Sequence, residues 1–234
     1  MKKMGIAFLL LAVLILCGCQ SSQFRKKSMP VLNGIIYDRD NIAVDSAIIQ
    51  SNGVNSAVSD ANGRFTLTNL RTLTDYHIVV TKPGYESVES ILRYSTASQV
   101  LYVRMYSAVQ LVNEAERSIN ARNWAEAESF LIRASKSGCD PTEALYLTAV
   151  ISIRRDNYEE ALELLESAAT EADHDLFIDL FLADIYQYHV KDLPRALFRL
   201  EAFRRNRFDH EIEKRYKELT DLMKQEGPTN WRKE

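Results

Sequence analysis

A period of 34 residues runs through the second half of this chain, and it restricts the fold more than any other feature. Ala115, Ala149 and Ala183 stand 34 apart. Ala127 and Ala161 keep the same step, and Ala196 follows 35 later. Trp124, Tyr158 and Leu193 each lie three residues before a member of that second set. Ala134 and Ala168 add a further step of 34. A fixed period of this size marks stacked supersecondary units, each too small to bury its own apolar face.

Each unit reads as two amphipathic helices. The expected spans are 107–121 and 124–137, then 141–154 and 158–171, then 175–190 and 193–205, with a last helix at 209–225. Asn123-Trp124-Ala125-Glu126 and Asn157-Tyr158-Glu159-Glu160 have the form of capping boxes, in which the Asn oxygen takes an orphan backbone N–H and the Glu reaches back. Asp140-Pro141 and Asp192-Leu193-Pro194 supply caps with an early proline. The repeated alanines let two helices cross closely, and Trp124, Tyr158 and Leu193 fill the space beside the crossing.

This pattern resembles the tetratricopeptide repeat over about 120 residues, with units one and two fitting well. Phe203 replaces a small residue in the third unit, which suits a terminal unit followed by a solvating helix. The resemblance implies a non-catalytic superhelix whose first helices line a concave groove for a peptide or a partner's helix. Its groove positions fall on Val112, Glu116 and Ile119, on Tyr146, Val150, Ile153 and Arg154, and on Phe177, Leu180, Asp184, Gln187 and Tyr188. Val112, Glu116 and Tyr146 stand where a carboxylate clamp would need basic or amide groups, so chaperone-tail binding is not expected.

Residues 30–105 lack helical periodicity. Apolar runs at 31–37, 43–50, 56–59, 64–67, 76–81, 87–92 and 99–105 are separated by turn signals at Asn52-Gly53, Asp60-Ala61-Asn62-Gly63 and Lys82-Pro83-Gly84. About seven short strands with close turns predict a small β-sandwich. Gly34, the run Val44 to Ile49, the segment Ser59 to Leu67 read as a hairpin, Tyr76 and Gly84-Tyr85 together resemble the carboxypeptidase regulatory-like domain, of the transthyretin-like kind. That resemblance implies an accessory module. The Asp60 loop has its Gly fourth and Arg71 twelfth, which departs from a calcium-binding EF-hand loop.

The first 18 residues have the layout of a secretory signal: Lys2 and Lys3, then an apolar run from Ile6 to Leu16, too short to span a bilayer. Leu16-Cys17-Gly18-Cys19 resembles the bacterial lipobox, which implies cleavage before Cys19 and acylation of its thiol. Residues 19–29 then form a tether with Arg25, Lys26 and Lys27. Residue 20 is Gln rather than Asp, which points to the outer membrane, with the chain facing the periplasm or, alternatively, exposed at the cell surface. Cys139 is left as an ordinary thiol under a turn.

Function classes narrow accordingly. The net charge of -3 argues against a nucleic-acid binder. His77, His174, His189 and His210 form no metal-ligand spacing, and no nucleophile elbow or phosphate loop occurs. Charge is uneven: residues 20–105 hold 9 Lys+Arg against 7 Asp+Glu, while residues 106–234 hold 18 against 25. The expected molecule is multidomain α and β: signal peptide 1–18, lipidated tether 19–29, β-sandwich 30–105, tetratricopeptide-like superhelix 106–226 and tail 227–234. Its expected role is a lipid-anchored envelope scaffold without a cofactor, binding an envelope protein or peptide through the groove. The alternative is an accessory subunit of an envelope enzyme or transport complex whose sandwich touches glycan or peptide.

Overall fold

A computed structural model describes residues 30–171 and 176–226. The expected signal segment, Cys19, the tether through residue 29, His174 and the tail from 227 lie outside the described residues. Seven strands come first: β1 (Leu32–Asp38), β2 (Ile48–Ser51), β3 (Val54–Val58), β4 (Arg64–Leu67), β5 (Thr74–Thr81), β6 (Val88–Tyr94) and β7 (Val100–Met105). They form two sheets, ordered β4-β1-β7 and β3-β2-β5-β6. Side chains alternate along β1, so Leu32 and Ile36 point inward while Asn33, Ile35 and Tyr37 face out. Leu32, Ile36, Ile49, Leu67, Ile78 and Tyr94 are fully buried in the sandwich core.

Two strand expectations change. The run 43–50 is a strand only from Ile48, because Ser46 takes a φ of 54° and turns the chain. The Ser59 hydroxyl secures that bend, donating to the Val44 carbonyl at 2.8 Å and accepting from the Ala47 N–H at 2.9 Å. Residues 60–63 are not a hairpin turn between paired strands: β3 pairs with β2, while β4 pairs with β1. The turn instead carries the chain from one sheet to the other. The Asp60 carboxylate that a calcium loop would need accepts from the N–H groups of Asn62 and Arg64 at 2.9 and 2.8 Å.

Helices follow as predicted: α1 (Ala108–Asn120), α2 (Trp124–Lys136), α3 (Pro141–Arg154), α4 (Tyr158–Glu171), α5 (Leu176–Asp184) continuing as a π-helical segment (Ile185–Val190), α6 (Leu193–Asn206) and α7 (His210–Glu226). Ala115, Ala127, Ala134, Ala149, Ala161, Ala168, Ala183 and Ala196 are all fully buried at the helix crossings. The period extends to the backbone, since Arg122, Asp156 and Lys191, spaced 34 and 35, each adopt the left-handed conformation between paired helices. The π segment explains the step of 35. A π turn takes up one extra residue within a helix, so Ala196 falls one place late.

The capping boxes take another form. Asn123 makes no side-chain cap, and the Glu160 N–H lies 3.4 Å from the Asn157 oxygen, too long for a strong bond. Instead Glu126 accepts from the Ser118 hydroxyl at 3.2 Å, and Glu160 accepts from the Ser152 hydroxyl at 3.0 Å and the Asn157 amide at 2.8 Å. The Glu thus ties the second helix of a unit to the end of its first helix.

The sandwich joins the helices through a built corner. The Glu86 N–H donates to the Tyr106 carbonyl and the Ala108 N–H to the Gly84 carbonyl, both at 2.8 Å. Ser107 and Gln110 form a capping box on α1, and the Gln110 amide reaches Asp38 and Asp40 at 3.0 and 2.7 Å. Arg133 of α2 binds Glu86 through two bonds of 2.8 and 2.7 Å and lies over the Tyr106 and Phe130 rings. Glu86 keeps that guanidinium charged more firmly than usual. The pair is about one-third exposed, so Arg133→Ala is expected to cost only about 1 kcal/mol globally. Its local effect is larger: amide exchange at Glu86 and Ala108 should accelerate, and unchanged exchange would show that the backbone bonds hold the corner alone.

Candidate partner-binding groove

The groove positions separate into three sets. In the first unit Val112 and Ile119 are buried in a core shared with Leu147 and Ile151, leaving Glu116 exposed. On α3, Val150 and Ile153 are half-buried, each packed against one of the two helical cores. Tyr146, one turn before Val150, is 37% exposed, and its ring meets Phe181 with centroids 5.8 Å apart. Arg154 is exposed at the end of α3 and forms no ion pair with the described residues. Phe177, at the start of α5, is 69% exposed. These side chains share a face because i, i+4 and i+8 lie along one side of a helix.

The third set is already engaged by the chain. Arg215 of α7 reaches Asp184 at 2.7 Å and Gln187 at 2.7 Å, and its guanidinium lies 5.4 Å from the centre of the Tyr188 ring. The last helix therefore acts on the far end of the groove as well as solvating it. Leu180 is half-buried beneath, in the core of the last two units. His189 stacks on Tyr158 at 4.0 Å and 16°. Among the described residues no group of three His, Cys, Asp or Glu is arranged to hold a metal.

The open end of the groove has a hollow of about 280 Å³ lined by Asp140, Thr142, Glu143, Tyr146, Phe177 and Ile178. Burial lifts the Glu143 carboxyl above the usual range, and the charges of Asp140 and Glu116 add to the lift. Aromatic carbon beside three carboxyl groups suits a segment that carries apolar and basic side chains. A second hollow of about 530 Å³, mostly apolar, lies between α2 and α3 and includes Leu131, Ile132, Cys139 and Leu145. Burial pushes the Cys139 thiol up, so little of it is thiolate, the reactive form. This hollow was not anticipated from the sequence. Ile132 and Leu145, both outside the repeat's alanine positions, were its only signal.

The architecture is that of a small β-sandwich joined to an array of paired helices that repeats its buried alanines. Residues 31–116 match the family model of the carboxypeptidase regulatory-like domain, so the chain carries such a domain, and the match continues past the last strand into α1. Among functionally characterised proteins none matches the sequence. Solved structures share parts of the fold. The chain is similar to pilF of Pseudomonas aeruginosa, 16% identical over 53% of this chain and 63% of that one with a TM-score of 0.40. It is also similar to YrrB, a TPR protein with an unusual peptide-binding site, 15% identical over 53% and 70% with a TM-score of 0.38. A chain of a cohesin–X-dockerin complex from Acetivibrio cellulolyticus is 19% identical over 33% of this chain and 57% of that one, with a TM-score of 0.29. The chain thus spans less than two thirds of the first of these structures' own length.

Proposed function

We propose that this protein is an envelope scaffold, anchored by lipid on Cys19, whose tetratricopeptide-like groove holds a segment of another envelope protein. The solvent-exposed surface of Tyr146 and Phe177 carries the reading, because large exposed aromatics lining a hollow are what a partner's side chains bury. Arg215 takes polar groups of Asp184 and Gln187 and lies by the Tyr188 ring, which is still 55% exposed, so the partner is placed over α3 and the start of α5, where no such cation competes. Glu116, Asp140 and Glu143 select a segment with basic side chains. The lipobox and the residues around it support the anchor, at the periplasmic face of the outer membrane. The protein performs no chemistry itself.

Photo-crosslinkers placed at Tyr146 and Arg154 in living cells test this. One dominant envelope protein should be captured from both, and a probe at Tyr188 should capture far less. The double variant Tyr146→Ala/Phe177→Ala should weaken binding of the captured segment roughly 30-fold or more. Scattered capture of many proteins, or equal capture from Tyr188, overturns the groove. Mass spectrometry of the mature N-terminus tests the anchor separately: an unmodified start elsewhere than Cys19 removes it.

A further inference from the structure

The outer face of the three-stranded sheet differs in charge from its counterpart across the core. Ile35, Tyr37, Val100 and Tyr102 make it apolar and aromatic, and Arg64 and Arg104 are its charges. No Asp or Glu occupies an outward position on these three strands. The register sets Ile35 between Arg64 and Tyr102, with Tyr37 beside Arg104 one row on. The Arg104 guanidinium lies 5.1 Å from the centre of the Tyr37 ring, and neither Arg forms an ion pair with the described residues. The outer face of the other sheet also exposes Ile48, Val58 and Ile91, but its charges are paired: Asp75 stands opposite Arg93 at 3.9 Å, and His77 lies 3.5 Å from Glu89 diagonally across the ladder.

We propose that this aromatic, basic sheet face lies on an anionic phospholipid surface when the chain is anchored. The inference rests on the lipid-anchor reading and adds an orientation to it. Only residues 20–29 separate Cys19 from Pro30, a reach of at most about 40 Å when extended. They bring Arg25, Lys26 and Lys27 and no acid, and β1, the central strand of this face, begins two residues after Pro30. Tyrosine and arginine both suit the headgroup layer, since each offers an apolar body and a polar tip. Residues 106–234, with 25 Asp+Glu against 18 Lys+Arg, are repelled by the same surface and project away with the groove open.

The test uses the acylated chain on phosphatidylcholine vesicles with and without phosphatidylglycerol. A fluorescent probe is attached at Val100→Cys or, as control, at Ile91→Cys on the opposite sheet, both in a Cys139→Ser background. With phosphatidylglycerol present, a lipid-borne quencher should quench the probe at 100 several-fold more than the probe at 91. High salt, or Arg64→Glu with Arg104→Glu, should remove that difference while the chain still floats with the vesicles. A floating chain with no difference between the two probes overturns the proposal and leaves the anchor intact. If Cys19 carries no lipid, the anchor reading fails, and unacylated chain added to the same vesicles still decides the face: absent quenching at 100 overturns it. Crosslinking of position 102 to a protein rather than to lipid also overturns it.

Discussion

Arg199→Ala is expected to destabilise the helical array by about 2–3 kcal/mol. Arg199 projects from α6 between two carboxylates, pairing with Glu166 of α4 and, at 3.1 Å, with Asp179 of α5. The Tyr186 hydroxyl donates to the other oxygen of Glu166 at 2.9 Å. Asp179 is only 5% exposed, so removal of the cation takes from a buried carboxylate the ion pair it makes with Arg199. That penalty exceeds what the intact pair contributes, because burying both ions already cost solvation. Burial works against the charge on Arg199 itself, pulling its pKa down. The double change Arg199→Met/Asp179→Leu should therefore recover part of the loss. Urea unfolding of the two variants decides the point. Equal losses in both would place the effect in lost packing of the arginine stem rather than in the lost ion pair.

The helical half was legible because its cause is local and periodic. A helix crossing tolerates only a small side chain, so Ala115, Ala149 and Ala183 had to recur at the length of one hairpin. The extra residue before Ala196 was visible, but its origin in a π turn at Ile185–Val190 was not, since nothing in Ile-Tyr-Gln-Tyr-His-Val distinguishes a π turn from α. Groove residues were less legible. The resemblance treats every first helix alike, whereas Val112 and Ile119 pack into a core with the next helix and Arg215 takes Asp184, Gln187 and Tyr188. The corner between the halves left no sequence signal, because Glu86 and Arg133 are 47 residues apart and one ion pair has no periodicity. In the sandwich, alternation located the strands, but which sheet each strand joins depends on turns such as that ending at Gly63.

At that turn Gly63→Ala is expected to cost about 3 kcal/mol or more, by far the largest effect of any single methyl added to the sandwich loops. Gly63 has a φ of 71°, where an L side chain costs about 1–2 kcal/mol. An added Cβ would also stand 2.2 Å from the Ile36 carbonyl oxygen, a backbone atom that cannot swing away. That oxygen accepts from the Val44 N–H at 3.1 Å, and the Gly63 carbonyl accepts from the Ile36 N–H at 2.8 Å. Moving it weakens two buried backbone bonds at the centre of β1, each worth about 1 kcal/mol. Gly53 provides the control. Its φ is 78°, yet nothing lies within 4 Å of an added Cβ, so Gly53→Ala should cost only the backbone term of about 1 kcal/mol. Chemical denaturation of the two variants separates conformational strain from collision. If both lose the same stability, the contact with Ile36 yields freely and the turn does not fix the pairing of β1 with β4. If Gly63→Ala loses more, the turn that moves the chain between sheets also sets the register of Ile35 against Arg64, and with it the outer face.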